Sequence, residues 1–177
     1  MEQATKPCRV VLIGMMGSGK STIGKQLGAL MGWPYYDNDE LLQMLRGETA
    51  KELLVNEGVT QLREGEAAAL ALGLRQPAPC IVGAPAGTIL SEEIRDALRR
   101  ESLVVWLTAR PQALARRARG AAHRPWLGGD AEGWMRQALA ERAPLYESVA
   151  NLRVNTERRR PQAAAAQIAA WLEERCP

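Results

Sequence analysis

The chain has 177 residues, of which 46% are hydrophobic and 24% charged, and its formal net charge is +3. This length and composition are typical of one globular domain with its own core, and they exclude a fibrous or low-complexity chain. Every apolar run is shorter than the roughly 18 residues of a membrane-spanning helix, and residues 1–7 do not resemble a signal peptide, so we expect a cytoplasmic protein without a membrane partner.

Five short apolar runs predict β-strands, because nearly continuous apolar sequence is typical of strands that are buried on both faces. These runs lie at residues 9–13, 33–36, 79–82, 102–108 and 152–155. Segments with the apolar spacing of helices alternate with them. The alternation predicts an α/β fold in which helices cover both faces of a five-stranded parallel sheet.

Several of the intervening helices have start signals in the sequence. Thr49 and Glu52 have the spacing of a capping box, Ser91 is a candidate N-cap, and Pro161 suits the first turn of the last helix. Pro144 interrupts another helix, where a proline can introduce a kink or a break. The predicted helices occupy residues 21–30, 40–46, 49 to the glycine at 58, 59 to about 74, 92–100, 111–119, about 132 to beyond 144, and 161–175.

A glycine-rich loop joins the first strand to the first helix. Residues 14–21 match the phosphate-binding pattern G-x-x-x-x-G-K-[ST]. Backbone N–H groups of such a P-loop point inward, and the following helix adds its positive N-terminal end. We expect the side chain of Lys20 to reach the β- and γ-phosphates of a nucleotide and the hydroxyl of Ser21 to bind Mg²⁺. The predicted nucleotide-binding residues of the loop are Gly14, Gly17, Ser18, Gly19, Lys20, Ser21 and Thr22.

Over nearly its whole length, the sequence resembles the shikimate kinases, which are small P-loop kinases related to the nucleoside monophosphate kinases. The matching segments, in chain order, are GMMGSGKSTIGKQL, YYDND, QLREGE, RPWL, ERAPLYESVA and LRVNTERRRP. The resemblance implies a single kinase domain over residues 1–177, with a mobile lid at about 117–131 and an acceptor-binding helical region at about 37–66. It also implies ATP and Mg²⁺ as cofactors and phosphorylation of a hydroxyl of a small carboxylated polyol, with shikimate as the first candidate.

The same resemblance assigns roles to charged residues outside the P-loop. Asp37 corresponds to the carboxylate on the metal side, and Asp39 corresponds to the carboxylate that takes the hydrogen of the acceptor hydroxyl. Arg63 and Arg142 resemble a pair that binds the substrate carboxylate, for which the planar fork of arginine is well suited.

The segment after the third strand departs from the family pattern. The family has three consecutive glycines whose backbone N–H groups reach the substrate and the phosphate, whereas this chain has Gly83, Ala84 and Pro85. Gly83 keeps the first position and is expected to contact the substrate. Ala84 adds a methyl group, and Pro85 has no N–H to donate. Shikimate held by altered contacts, a related acid as acceptor, and reduced catalysis all stay open at this point.

Other functions are also compatible with parts of the sequence. A gluconate-type sugar-acid kinase is compatible with the paired arginines, and a catalytically weak nucleotide-binding protein is a further alternative, although the intact P-loop and aspartates argue against it. Arginine makes up 19 of the 23 basic residues, but no aromatic and basic platform for nucleic acid accompanies it.

The three cysteines are far apart in the sequence and are expected to be reduced. We expect a monomer that binds small molecules.

The predicted lid contains Arg124, which the resemblance places against both phosphate and substrate, and it follows Arg117, which resembles a nucleotide-side arginine. We predict that proteases cut residues 119–130 faster in the free protein than with nucleotide and acceptor bound, because a closed lid is protected and excludes water. Limited proteolysis with mass spectrometry measures this difference. Equal cleavage in both states would contradict a closing lid.

Overall fold

The computed structural model describes residues 8–119 and 129–176, and within them five strands form one parallel sheet. The strands are β1 (Arg9–Ile13), β2 (Tyr35–Asp37), β3 (Cys80–Gly83), β4 (Leu103–Thr108) and β5 (Leu152–Asn155). Their order in the sheet is β2-β3-β1-β4-β5, so that β1 lies at its centre. The five-stranded parallel sheet predicted from the sequence is therefore confirmed.

Helices cover both faces of this sheet, because successive residues of a strand point to opposite faces and β1 is apolar on both. Val11 and Ile13 belong to one buried cluster, and Val10 and Leu12 belong to the other. In the part of the chain that the structure describes, no helix has the length and apolar character needed to cross a membrane. The helices are α1 (Lys20–Met31), α2 (Asn38–Arg46), α3 (Ala50–Leu74), α4 (Glu92–Glu101), α5 (Pro111–Ala118), α6 (Ala131–Val149) and α7 (Pro161–Glu173), with a 3₁₀ turn at Thr88–Leu90.

Boundary errors fall together at the second strand and the second helix. The strand was predicted at 33–36 and the helix at 40–46, whereas β2 is Tyr35–Asp37 and α2 begins at Asn38. The reason is the side chain of Asp37, which caps α2 by accepting a hydrogen bond from the backbone N–H of Asp39 at 3.0 Å. Asp39 consequently lies in the first turn of a helix.

The helices differ from the sequence-based expectations at a few positions and agree with them at others. The backbone of Gly58 has a φ of 88° and a ψ of 179°, so it divides α3 into two helical segments, as predicted. Pro144 lies inside α6, which continues past it to Val149, so of the two predicted alternatives, a kink or a break, the break is absent. The third strand begins one residue later than predicted, and α7 ends two residues earlier. All three cysteines are free thiols, as expected.

The predicted capping box at the start of α3 is present. The hydroxyl of Thr49 accepts a hydrogen bond from the N–H of Glu52, and the carboxylate of Glu52 accepts one from the N–H of Thr49 at 2.8 Å. We expect Thr49→Ala to lower the free energy of unfolding by about 1 kcal/mol, because a backbone donor loses its partner. Urea denaturation measures this change. Thr49→Ser keeps the cap and should stay close to the unchanged protein, so an equal loss in both variants would contradict the capping role.

Candidate active site

A cleft of about 260 Å³ opens where β1, β2 and β3 end. Ligands of open α/β sheets bind in this position, outside the carboxyl ends of the strands. Nine of the predicted site residues line the cleft: Gly17, Gly19, Lys20, Ser21, Thr22, Asp37, Asp39, Gly83 and Arg117. Gly14, Ser18, Arg63 and Arg142 are not among its lining residues, and Arg124 lies outside the residues that the structure describes.

The P-loop has the tight conformation that its glycines allow. Gly14 and Gly17 have φ values of 143° and 77°, which non-glycine residues rarely adopt. A β-carbon on Gly14 would lie 2.5 Å from the backbone oxygen of Leu107, so β4 also leaves no room for a side chain there. Ser18 is fully buried, and its N–H donates to the backbone oxygen of Met15 at 3.2 Å. Gly14 and Ser18 therefore shape the loop from the inside.

Lys20 lies over this loop. Its Nζ donates hydrogen bonds to the backbone oxygens of Gly14 and Met15 at 2.8 and 3.0 Å. An ammonium group in this position is attracted to an anion that the loop binds. The structure therefore places a cation over a glycine-rich loop at the N-terminus of a helix, which is a site suited to phosphate.

Asp37 connects the P-loop helix to the second strand. Its Oδ2 accepts a hydrogen bond from the Ser21 hydroxyl at 2.7 Å, and its Oδ1 accepts the bond from Asp39 that caps α2. A second donor to Oδ2 is the hydroxyl of Tyr35 at 3.0 Å. Burial, reinforced by the negative charge of Asp37, raises the pKa of Tyr35, so this phenol stays protonated. Tyr35 was not predicted as a site residue, although its position two residues before Asp37 places both side chains on one face of β2.

The side chains of Arg63 and Arg142 contact two neighbouring residues of the loop after β3, Gly87 and Ala86. The guanidinium of Arg63 lies against Gly87, where any side chain would collide with it, and it forms an ion pair with the buried carboxylate of Glu66 at 2.8 Å. Nη1 of Arg142 makes a long hydrogen bond of 3.4 Å to the oxygen of Ala86. Two arginines that are 79 positions apart in the chain are thus brought to one loop.

Glu66 and Tyr146 support these arginines and were not predicted. Glu66 lines the cleft, and the signal for it was its position three residues after Arg63, which places the two side chains on one face of a helix. The Tyr146 hydroxyl donates to the same oxygen of Ala86 at 2.8 Å, and burial raises its pKa. Nothing in the local sequence indicated that Tyr146 would reach this loop.

The loop after β3 offers no backbone donor from its second and third positions. The N–H of Ala84 donates to the oxygen of Leu12 on β1 at 3.0 Å, and Pro85 has no N–H. The oxygen of Pro85 accepts from the hydroxyl of Thr88 at 2.8 Å. The sequence had indicated the missing donor at Pro85, and the structure adds that the donor of Ala84 is engaged in the sheet.

Arg117 joins the P-loop to the segment after β5. One of its nitrogens donates to the oxygen of Gly17 at 3.3 Å, and the other donates to the oxygens of Thr156 and Glu157 at 2.9 and 3.2 Å. The side chain therefore lies between the P-loop and the chain that follows the last strand.

The sequence model of the family described as shikimate kinase matches residues 16–173. The chain belongs to the shikimate kinase family. A shikimate kinase of Symbiobacterium thermophilum is 38% identical over 172 residues, which cover 94% of this chain and 97% of that protein. A shikimate kinase of Corynebacterium efficiens is 37% identical over 167 residues, which cover 93% of this chain and 96% of that protein.

Solved structures agree with this membership. The shikimate kinase from Acinetobacter baumannii in complex with shikimate has a TM-score of 0.88 to this chain at 27% identity, and the match covers 98% of this chain and 97% of that one. A deoxyadenosine kinase from M. mycoides has a TM-score of 0.65 at 14% identity, which shows a shared fold. The resemblance to the shikimate kinases drawn from the sequence is therefore confirmed.

Arg142 is a buried cation whose hydrogen bonding is incomplete. The residue is 6% exposed, and its Nε has no hydrogen-bond partner among the described residues. Its guanidinium lies 5.9 Å from the ring centre of Trp134. Burying a charge is costly unless it is fully paired. The free protein therefore holds a cation that an anionic ligand would stabilise.

We expect Arg142→Met to leave the free energy of unfolding unchanged or to raise it by up to about 2 kcal/mol, because an apolar side chain removes the cost of the buried charge. Urea denaturation in the absence of ligands measures this. Arg136→Met is the matched control, since Arg136 lies on the same helix but is exposed and pairs with Glu132. A loss of stability much larger than that of the control would mean that Arg142 serves the fold rather than a ligand.

Proposed function

We propose that this protein transfers the γ-phosphoryl group of ATP to a hydroxyl of shikimate and forms shikimate 3-phosphate. The observation that carries the proposal is the cleft itself, because the P-loop residues Lys20 and Ser21 line it together with Asp37 and Asp39. A phosphate donor and a hydroxylated acceptor can meet there. Membership of the shikimate kinase family and the shikimate bound by the similar Acinetobacter protein support the choice of acceptor.

The donor side of the cleft suits a nucleotide triphosphate. Loop N–H groups and Lys20 would hold the phosphates, and Arg117 would lie on the nucleotide side. Mg²⁺ is normally held in such sites by a hydroxyl, one or two carboxylates and the phosphates, not by a cage of protein ligands. Ser21 and Asp37 fit that pattern, with their oxygens 2.7 Å apart, while the described residues contain no cluster of three or more metal-binding side chains. When bound, the ion would neutralise charge on the transferred group.

The acceptor side is formed by carboxylate and arginine side chains. Asp39 is exposed in the cleft and would accept the hydrogen of the attacking hydroxyl. Arg63 and Arg142 would bind the carboxylate of the acceptor from two sides of the loop after β3, next to Gly83. Arg124, outside the described residues, is proposed to meet phosphate and acceptor when the lid closes. Catalysis would then rest on positioning and on charge neutralisation.

A sugar acid of the gluconate type is the second candidate acceptor. The observation in its favour is the loop after β3, because the engaged N–H of Ala84 and the missing N–H of Pro85 remove donors that the family uses. Both candidates carry a carboxylate for the arginines, so the arginines do not distinguish them.

The proposal is tested by measuring ADP release with shikimate, with gluconate and without an acceptor. We expect turnover that depends on shikimate and that falls at least about 100-fold in Lys20→Ala, because a cation at the transferred phosphate is lost. Lys25→Ala is the matched control on the same helix, since Lys25 is exposed and lies 3.8 Å from Glu40. Circular dichroism should show an unchanged fold in both variants. Near-normal turnover of Lys20→Ala would contradict the assignment of the P-loop.

The loop after β3 gives a prediction about acceptor binding. Pro85→Gly should lower the KM for shikimate roughly 5-fold or more, because one hydrogen bond to a buried ligand group contributes about 1–3 kcal/mol. Ala84→Gly removes a methyl group without freeing the engaged N–H, so its effect should be smaller. Neither change should alter the KM for ATP. A higher KM for shikimate in Pro85→Gly would show that the loop is adapted to its present sequence, and a gain with gluconate alone would favour the second acceptor.

A further inference from the structure

Tyr35 is a polar residue of the cleft to which neither the sequence nor the proposed function assigns a role. It lies on β2, lines the cleft, and donates its hydroxyl hydrogen to Oδ2 of Asp37 at 3.0 Å. The ring could be ordinary core packing, since it also belongs to the apolar cluster between the sheet and α1. Its surroundings distinguish between packing and a role in the site.

Two glycines make room for the Tyr35 side chain. A β-carbon on Gly24 of α1 would collide with the ring, and a β-carbon on Gly83 at the end of β3 would collide with the hydroxyl oxygen. Neither glycine has a positive φ, so backbone conformation does not require glycine at these positions. Gly24 also weakens a helix interior by comparison with alanine. The space at both positions is explained by the phenol that occupies it.

The hydroxyl completes a set of three donors around Asp37. Oδ1 accepts from the N–H of Asp39, and Oδ2 accepts from Ser21 at 2.7 Å as well as from Tyr35. These donors come from β2, α1 and α2, so the carboxylate is held from three elements. The Ser21 hydroxyl has one hydrogen, and its direction toward Asp37 leaves the oxygen lone pairs for a cation.

We propose that Tyr35 is a positioning residue that holds the carboxylate of Asp37 in the orientation needed to bind Mg²⁺ together with Ser21. This inference rests on the proposed function, because it takes Ser21 and Asp37 as the metal side of the cleft. Tyr35 itself acts through Asp37. Without its hydroxyl, Oδ2 keeps Ser21 as its single side-chain donor, so the orientation of the carboxylate is held by one hydrogen bond fewer.

The test is Tyr35→Phe, which removes the hydroxyl and keeps the ring between Gly24 and Gly83. Tyr36→Phe is the matched control, because Tyr36 is the next residue of β2 and packs against the core on the opposite face of the sheet. Thermal unfolding is followed at a fixed ADP concentration over a series of Mg²⁺ concentrations. We expect Tyr35→Phe to need about tenfold more Mg²⁺ for the same stabilisation, in line with the loss of a hydrogen bond to a charged group. Tyr36→Phe should match the unchanged protein.

Three results would overturn the inference. One is a Mg²⁺ requirement of Tyr35→Phe within about twofold of the control, which lies inside the usual scatter for independent sites. Another is a lower unfolding temperature without ligand combined with a normal Mg²⁺ requirement, since a packing role alone would do that. The third is a protein without any substitution whose stabilisation by ADP does not depend on the Mg²⁺ concentration. The measurement uses no acceptor, so a failure of shikimate phosphorylation would overturn the proposed function without deciding this point.

A double-mutant cycle tests whether the hydroxyl acts through Asp37. Asp37→Asn keeps a side chain that can cap α2, so the helix start is retained. If Tyr35 acts through the carboxylate, Tyr35→Phe should lower kcat about tenfold in the unchanged protein and less than about twofold in the Asp37→Asn background. Equal losses in both backgrounds would show that the hydroxyl acts elsewhere and would overturn the proposal.

Discussion

The burial of β1 on both of its faces is the constraint on which the rest of the structure depends. Val11 and Ile13 pack into one core, Val10 and Leu12 pack into the other, and all four are at most 2% exposed. Burying side chains of this size stabilises the fold by roughly 1.5–3 kcal/mol each. The P-loop begins at the next residue, so this loop is attached to the central, fully packed strand of the sheet.

Two charged side chains at and near the cleft are held in opposite ways. Asp37 accepts hydrogen bonds from Ser21, Tyr35 and Asp39, so its orientation is fixed in the free protein. Arg142 is buried with a long hydrogen bond to the oxygen of Ala86, a 4.0 Å contact to the sulfur of Met15 and the ring of Trp134 beside it, and its Nε has no hydrogen-bond partner among the described residues. A satisfied carboxylate favours a prearranged site, while an incompletely paired cation favours binding of an anion. Asp37 is thus ordered without a ligand, whereas the incomplete pairing of Arg142 is a cost that an anionic ligand would reduce.

In the loop after β3, the sequence departs from the three glycines that the resemblance to the shikimate kinases leads one to expect. The differences do not loosen the loop, because Ala84 donates to β1, the oxygen of Pro85 accepts from Thr88, and Tyr146 holds the oxygen of Ala86. These polar groups of the loop are therefore engaged within the protein. Two arginines contact the loop directly, Arg63 at Gly87 and Arg142 at Ala86.

The sequence by itself determined the features that depend on short stretches of chain. The P-loop follows from glycine and lysine at fixed spacing, the cap at Thr49 follows from a residue three positions away, and the strands follow from runs of apolar residues. What only the tertiary structure decided involves segments that are far apart in sequence. The sequence could not predict three features: the packing of Tyr35 between Gly24 and Gly83, the hydrogen bond from the N–H of Ala84, and the burial of Arg142. The packing of the sheet and helices determines which residues contact a side chain in the core. Periodicity reports which face a residue occupies, but it carries no information about which distant residue lies across from it.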